Sequence, residues 1–306
     1  MERVEVTSLV DNYVDILLPS TEVAKRPVRR QDWFEGPQLI AEHGFSALVT
    51  LEMDGKMRSV LLDSGLDERS VVNNVDVLDL SLSNCEAVVL SHGHRDHAGG
   101  LITVKEKIGE RKVPLVLHPH AFRKRMSKRP DGNFTQLPPT DRQKLLESGY
   151  EVIEKWEPTP LLEESALVTG EIRRINDFEK GYPVHYAEIE GRLVEDPLIL
   201  DDQALVLRVK DKRLVVITGC GHSGVIDTVS YARELTGGRV FAIMGGMHLG
   251  GGLYEAAIPP TIRELKKPDP EFLIPCHCTG WKAVHQIISA MPEKFIQNSV
   301  GTTYVF

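Results

Sequence analysis

Between Ser91 and Gly100 the chain reads Ser-His-Gly-His-Arg-Asp-His-Ala-Gly-Gly, so His92, His94, Asp96 and His97 fall within six residues. Imidazole nitrogen and carboxylate oxygen at this density suit zinc, iron or manganese. Leaving vacant positions on such ions is how hydrolytic sites are made. The apolar run Ala87-Val88-Val89-Leu90 just before it reads as a buried strand. That strand delivers all four groups onto one short loop, where they can converge.

Three later segments repeat the pattern of an apolar run followed by a chemically able turn. Ile217-Thr218-Gly219-Cys220-Gly221-His222-Ser223-Gly224 ends a β-branched strand in glycines that let the backbone approach whatever His222 binds. The alternative there is a helix-capping turn with an incidental histidine. Ile274-Pro275-Cys276-His277-Cys278-Thr279-Gly280 displays His277 at another strand end. Its two flanking cysteines, on an extended backbone, point to the opposite side and read as packing. In Met244 to Gly252, five glycines surround His248, which is open to three roles: ligand, proton donor or substrate contact. Asp63 closes the strand Val60-Leu61-Leu62. His118, His120, His185 and His285 read as ordinary histidines.

The elements that must position these groups are short. Strands are expected at Val4 to Val10, Ala47 to Met53, Arg58 to Asp63, Cys85 to Leu90 and Val113 to Leu117, with turns at Asp54-Gly55 and Ser64-Gly65. A helix is expected from Ala98 to Ile108, with Leu101, Val104, Lys105 and Ile108 at helical spacing. From Ala121 to about Pro197 the chain is rich in charge and proline and reads as an irregular insertion over the core, with a helix at Thr140 to Ser148. Strand and helix then alternate: a hairpin of Ala204 to Val209 and Leu214 to Thr218, helix Gly224 to Leu235, strand Val240 to Met244, helix Ala256 to Leu265, strand Phe272 to Pro275, helix Trp281 to Met291. A strand-rich first half and an alternating second half fit two packed sheets with helices outside both.

The 306 residues, 42% apolar and 26% charged, suit a globular chain with a sizeable core. No apolar stretch approaches the roughly 20 residues that cross a bilayer. Acidic Glu2, Glu5 and Asp11, with no basic stretch leading into an apolar one, do not read as a signal peptide. The expectation is a cytoplasmic enzyme with no membrane partner. A net charge of −8 argues against a nucleic-acid surface. The basic run Arg123-Lys124-Arg125-Met126-Ser127-Lys128-Arg129 reads as a solvated helix face or as a rim that gathers an anionic substrate. The four cysteines form no Cys-x-x-Cys pair and are expected to be reduced.

Taken together, Glu-His-Gly-Phe-Ser (42–46), Ser-His-Gly-His-x-Asp-His-x-Gly-Gly (91–100), Asp-Asp-Gln-Ala-Leu-Val (201–206), Thr-Gly-Cys-x-His-x-Gly (218–224), Gly-Gly-x-His-Leu (245–249) and His-Cys-Thr-Gly (277–280) resemble the metallo-β-lactamase superfamily. Together they look like one branch of it, whose members are often named metal-dependent hydrolases or 7,8-dihydropterin-6-yl-methyl-4-(β-D-ribofuranosyl)aminobenzene-5′-phosphate synthases. The resemblance implies a single α/β domain over residues 1–306, a four-layer αββα sandwich, with the site on the edge where the loops meet. It implies one or two divalent transition metals, zinc first, iron or manganese otherwise. His92, His94 and His222 would hold the first metal; Asp96, His97 and His277 the second. Asp63 would orient these groups from behind. Many relatives carry aspartate where this chain has Cys220, so Cys220, Asp201 or Asp202 is left to complete the site. The implied chemistry is attack of an activated water on an ester or phosphoester of a small, anionic molecule, with Asp96 orienting the water and His248 protonating the leaving group. The alternative is transfer of a dihydropterin from its diphosphate onto an aminobenzene ribofuranosyl phosphate.

Overall fold

A computed structural model of the chain describes residues 3–28, 35–53 and 55–306. Among these, the strands form two large sheets and one small one. The first sheet has eight strands in the order Ala24–Lys25, Thr303–Val305, Arg3–Val10, Ser46–Met53, Lys56–Leu62, Cys85–Val89, Val113–Leu117 and Tyr150–Glu154. The second has six, in the order Thr159–Leu161, Ala166–Val168, Ala204–Val209, Arg213–Thr218, Arg239–Gly245 and Phe272–Pro275.

Side-chain alternation explains why these strands read as nearly unbroken apolar runs. In Lys56–Leu62, Val60 and Leu62 enter the core between the sheets while Leu61 packs outward. In Arg213–Thr218, Val215 and Ile217 point inward and Val216 outward. A strand of period 2 covered on both faces needs apolar residues at every position. The inner core joins the two sheets through Val49, Val89, Leu205, Leu207 and Met244. The outer face of the first sheet packs on helices Ser70–Val77 and Leu101–Ile108, and that of the second on Val225–Thr236, Ile258–Leu265 and Trp281–Ala290. The result is the four-layer αββα sandwich.

Most expected elements agree to within a few residues. The Ala98 to Ile108 helix divides into a turn at Arg95–Ala98 and a helix at Leu101–Ile108. The hairpin, its following strands and its three helices lie where expected. Of the turn at Asp54-Gly55, Asp54 lies outside the described residues. Between residues 121 and 197 the chain supplies strands to both large sheets. It also builds a four-stranded antiparallel sheet in the order Arg192–Glu195, His185–Ile189, Arg125–Lys128 and Phe134–Leu137. Helix Arg142–Glu147 is capped by Asp141, which accepts from the amides of Gln143 and Lys144.

The basic run is neither a helix face nor a cleft rim. Arg125–Lys128 is a strand, and carboxylates face four of the run's five basic groups. Lys124 faces Glu188, Arg129 faces Asp131, and Arg123 faces Asp196. Arg125 is 2% exposed and clamps Asp201. No helix among the described residues is long and apolar enough to cross a membrane.

Candidate metal centre

Strand Lys56–Leu62 runs parallel to Cys85–Val89, and Arg213–Thr218, Arg239–Gly245 and Phe272–Pro275 run parallel to one another. Asp63, the 91–100 loop, Cys220 with His222, His248 and His277 all follow carboxyl ends of these strands. Open α/β sheets bind ligands at that edge, because there successive loops turn away and leave a crevice. The crevice here is a cleft of about 550 Å³ lined by His94, Asp96, Cys220, His222, His248, His277 and Cys278, with Tyr182, Tyr254, Leu137 and Pro138 as an apolar wall.

The loops approach closely because glycine removes what would collide. A Cβ on Gly219 would meet Ser91 Oγ at 2.1 Å and Asp63 Oδ2 at 2.8 Å, so glycine is required where the 218–224 turn crosses the first loop. Asp63 itself adopts a φ of 58°, which turns its carboxylate under that loop. Its Oδ1 accepts from the Ser91 amide at 2.7 Å. Its Oδ2 accepts from Ser91 Oγ at 2.7 Å and His97 Nδ1 at 2.6 Å.

Hydrogen-bond partners then fix which nitrogen of each histidine carries the proton. Ser91 Oγ gives its hydrogen to Asp63, so at 3.0 Å it accepts from His92 Nδ1. His92 Nε2 is therefore a bare lone pair. The carbonyl of Asp196 can only accept, so His185 Nδ1 donates to it at 2.9 Å, and His185 Nε2 accepts from His94 Nε2 at 3.0 Å. His94 Nδ1 is therefore bare as well. These two lone pairs face each other across 3.0 Å. Burial keeps His92 and His94, like His222, well below the usual histidine range and so uncharged. Two lone pairs pointed at one another repel unless a cation lies at their focus, so the donor set fits a metal ion.

The second half of the site is built the same way. With Nδ1 committed to Asp63, His97 turns Nε2 toward Cys220 Sγ at 3.2 Å and Asp96 Oδ2 at 3.7 Å. Burial opposes a proton on His97, but the Asp63 and Asp96 carboxylates outweigh it and push its pKa up to about 9. Asp96 is penalised by burial, yet His97 and His277 hold its carboxyl well below the usual range. His277 Nε2 is 3.4 Å from both Asp96 Oδ2 and Cys220 Sγ, and its amide donates to Asp11 at 2.7 Å. Both ring nitrogens of His222 and of His248 are buried without a partner, a costly condition that a ligand relieves.

Among the described residues, three sets of donor atoms lie within 4.8 Å of one another: Asp96, His97, Cys220 and His277; His92, Cys220 and His222; and Cys220, His248 and Cys278. Cys220 belongs to all three. His94 belongs to none, though its Nδ1 meets His92 Nε2 and its ring centroid is 5.0 Å from that of His222. His94, Asp96, His222, His248 and His277 line the cleft, and His92 and His97 are gathered behind them beside Cys220.

The reserve carboxylates stand elsewhere. Asp201 is held by Arg125 and by the Gly93 amide, and Asp202 accepts from the Ser223 amide at 2.8 Å. Two expectations do not hold. Cys278 is not merely packing: His277 takes a φ of 47°, which breaks the extended alternation and brings Cys278 Sγ to 3.2 Å from the Cys220 carbonyl. His185 is not an ordinary histidine, since it sets the tautomer of His94. Tyr182 and Tyr254 also line the cleft, and no motif around them points to it.

The sequence profile described as metallo-beta-lactamase superfamily matches residues 42–277. Over 275 residues the chain is 28% identical to a 7,8-dihydropterin-6-methyl-4-(beta-D-ribofuranosyl)-aminobenzene-5′-phosphate synthase of Methanocaldococcus jannaschii, covering 87% of this chain and 90% of that one. A crystal structure described as a metal-dependent hydrolase of the beta-lactamase superfamily superposes with a TM-score of 0.72 at 24% identity over 98% of both chains. Zinc-bound PqqB from Methylobacterium extorquens superposes at 0.53 with 13% identity over 98% of this chain and 99% of that one. With a match that spans most of its length and a donor cluster at the sheet edge, the chain belongs to the metallo-β-lactamase superfamily.

Proposed function

We propose that the protein is a metal-dependent hydrolase acting on an ester or phosphoester of a small, anionic molecule, and that the whole chain works as one domain. The observation that carries this reading is the pair of bare nitrogens on His92 and His94, 3.0 Å apart, with His94 lining a cleft open to solvent. His92, His94 and His222 are assigned to one metal, and Asp96, His97 and His277 to another, with Cys220 shared between them. A divalent transition ion, zinc first among the candidates, supplies Lewis acidity and lowers the pKa of water toward neutrality.

The chain's own groups do the rest. Asp63 and His185 orient His97 and His94, so that His97 Nε2 and His94 Nδ1 are the nitrogens turned to the site. Asp96, kept ionised by His97 and His277, accepts a hydrogen bond from the attacking water and orients it. His248, with no partner on either ring nitrogen, gives a proton to the leaving oxygen. Tyr254 Oη is buried without a partner, and burial pushes its pKa up, so it stays a neutral phenol able to donate to the substrate. Leu137, Pro138 and Tyr182 offer an apolar face, while Arg95 and His43 line the same cleft and suit a negative group.

The test is a panel of carboxylic esters and phosphate mono- and diesters offered to enzyme loaded with zinc, manganese or iron. Turnover that disappears in Asp96→Asn, with the metal equivalent of the His92, His94 and His222 set retained, supports the role of Asp96 at the second position and in orienting water. Turnover unaffected by that change removes Asp96 from the chemistry.

The likeness to the pterin-transferring synthase supports a second reading, in which the same cleft binds a dihydropterin diphosphate and an aminobenzene ribofuranosyl phosphate. Pyrophosphate released only when both substrates are present selects this reading. Hydrolysis of an ester without any second substrate selects the first.

A further inference from the structure

We propose that Cys220, His248 and Cys278 form an additional cation position in the wall of the cleft, suited to a thiophilic divalent ion such as Zn²⁺ or Cd²⁺. Their donor atoms lie within 4.8 Å of one another. Ligands at about 2.0–2.3 Å from a tetrahedral zinc stand roughly 3.3–3.8 Å apart, so only small side-chain movements separate this arrangement from coordination. Two sulfurs and one imidazole make a softer set than the aspartate and two imidazoles that accompany Cys220 in its neighbour, and softness selects thiophilic ions.

Local structure holds the three groups together at some cost. His248 sits at a φ of 44° with both ring nitrogens buried and unpartnered. A Cβ on Gly246 would meet Cys278 Sγ at 2.6 Å, so this glycine leaves the space that the sulfur fills. A Cβ on Gly280 would meet Gly250 Cα at 2.4 Å, and the Gly250 amide donates to the Cys278 carbonyl at 3.0 Å. The two loops therefore lie backbone against backbone, which sets His248 beside Cys278. All three residues line the cleft, so an ion reaches them from solvent.

A cation here shares Cys220 with the histidine and aspartate sets and engages the His248 ring. Excess Zn²⁺ is then expected to inhibit, because an engaged His248 no longer delivers a proton. The inhibition rests on the hydrolase reading; the metal count does not.

The test is titration of the full chain with Cd²⁺, following thiolate-to-cadmium absorption in the ultraviolet and the metal retained after gel filtration. Wild type should bind one equivalent more than Cys278→Ala, and the corresponding step in absorption should be missing from that variant. Equal cadmium content and equal absorption in the two proteins overturn the proposal. If Cys278→Ala does not fold, His248→Ala and Gly246→Ala decide: each should lose the same step, and its retention in both overturns the proposal.

Discussion

His94 Nε2 and His185 Nε2 lie 3.0 Å apart, although 91 positions separate them in the chain. One belongs to the ligand loop and the other to strand His185–Ile189 of the small sheet. The contact transmits the fixed polarity of the Asp196 carbonyl through His185 to His94, whose opposite nitrogen is left bare toward His92. A residue behind a ligand that selects its tautomer typically changes metal affinity tenfold or more when lost.

His185→Ala is therefore expected to weaken metal binding by about 10- to 100-fold, read by competition with a chelator of known affinity. His185→Gln places an amide oxygen near the position of the lost nitrogen and should recover most of the affinity. A purely structural role for His185 predicts equal losses in the two variants, or loss of folding rather than of metal.

Asp63→Asn tests the other half of the centre. The carboxylate accepts three hydrogen bonds, two on Oδ2 and one on Oδ1. An asparagine side chain must turn its NH₂ toward one of those donors. If it meets His97 Nδ1, the ring is driven to the tautomer that carries its proton on Nε2, facing Cys220 and Asp96. Retained folding with a loss of about tenfold or more in affinity for one metal equivalent is expected. Stoichiometry and affinity from calorimetric titration check it.

The ligand loops are legible in the sequence because each follows an apolar run, and strands that end together at one sheet edge bring such loops together. The αββα layering is legible for a related reason: the stretches of strand covered on both faces, such as Val60-Leu61-Leu62 and Leu214 to Ile217, are wholly apolar. His185 is not legible, because nothing in its neighbourhood indicates that the sheet containing it folds back on His94. The basic run misleads because its partners are distant in the chain. Arg125 looks solvated in sequence, and only the fold shows Asp201 and Asp196 beside it. Cys278 misleads because strand alternation does not extend past Pro275, and the backbone turns at His277.

The Arg125–Asp201 pair carries a stability prediction. Both side chains are almost wholly buried. Burial alone would raise the pKa of Asp201, yet Arg125 and the Gly93 amide lower it to about 2. Removing one partner strands the other charge in the interior, at a cost of about 3–5 kcal/mol. Arg125→Leu should lower stability by that order, measured by urea unfolding. Arg125→Leu combined with Asp201→Asn should recover part of the loss, since the second change removes the stranded charge. Because Asp201 also holds the Gly93 amide, the single variant should loosen the 92–97 loop and reduce metal retention.

Glu179 sets a pH dependence of opposite sign. Its carboxylate lies against the amide of Ile226 near the start of helix Val225–Thr236, at 3.1 Å, and accepts from Asn176. Burial dominates, with some help from neighbouring Asp227, and raises its pKa from 4.5 to about 7 despite those donors. An acid whose folded pKa is raised holds its proton more tightly in the native state than in the unfolded one. Its contribution to stability is complete below about pH 4.5, declines as pH rises, and is lost above about pH 7. Each pKa unit is worth about 1.4 kcal/mol, so the decline amounts to about 3 kcal/mol across that window. Glu179→Gln cannot titrate and should remove that slope, whatever constant offset its amide introduces. Unfolding free energies of wild type and variant at matched pH between 4.5 and 8 provide the check: the difference between them should shift steadily in favour of the variant as pH rises. A difference that stays flat across the window means that Glu179 is ionised in the fold throughout, with its charge met by the helix amides.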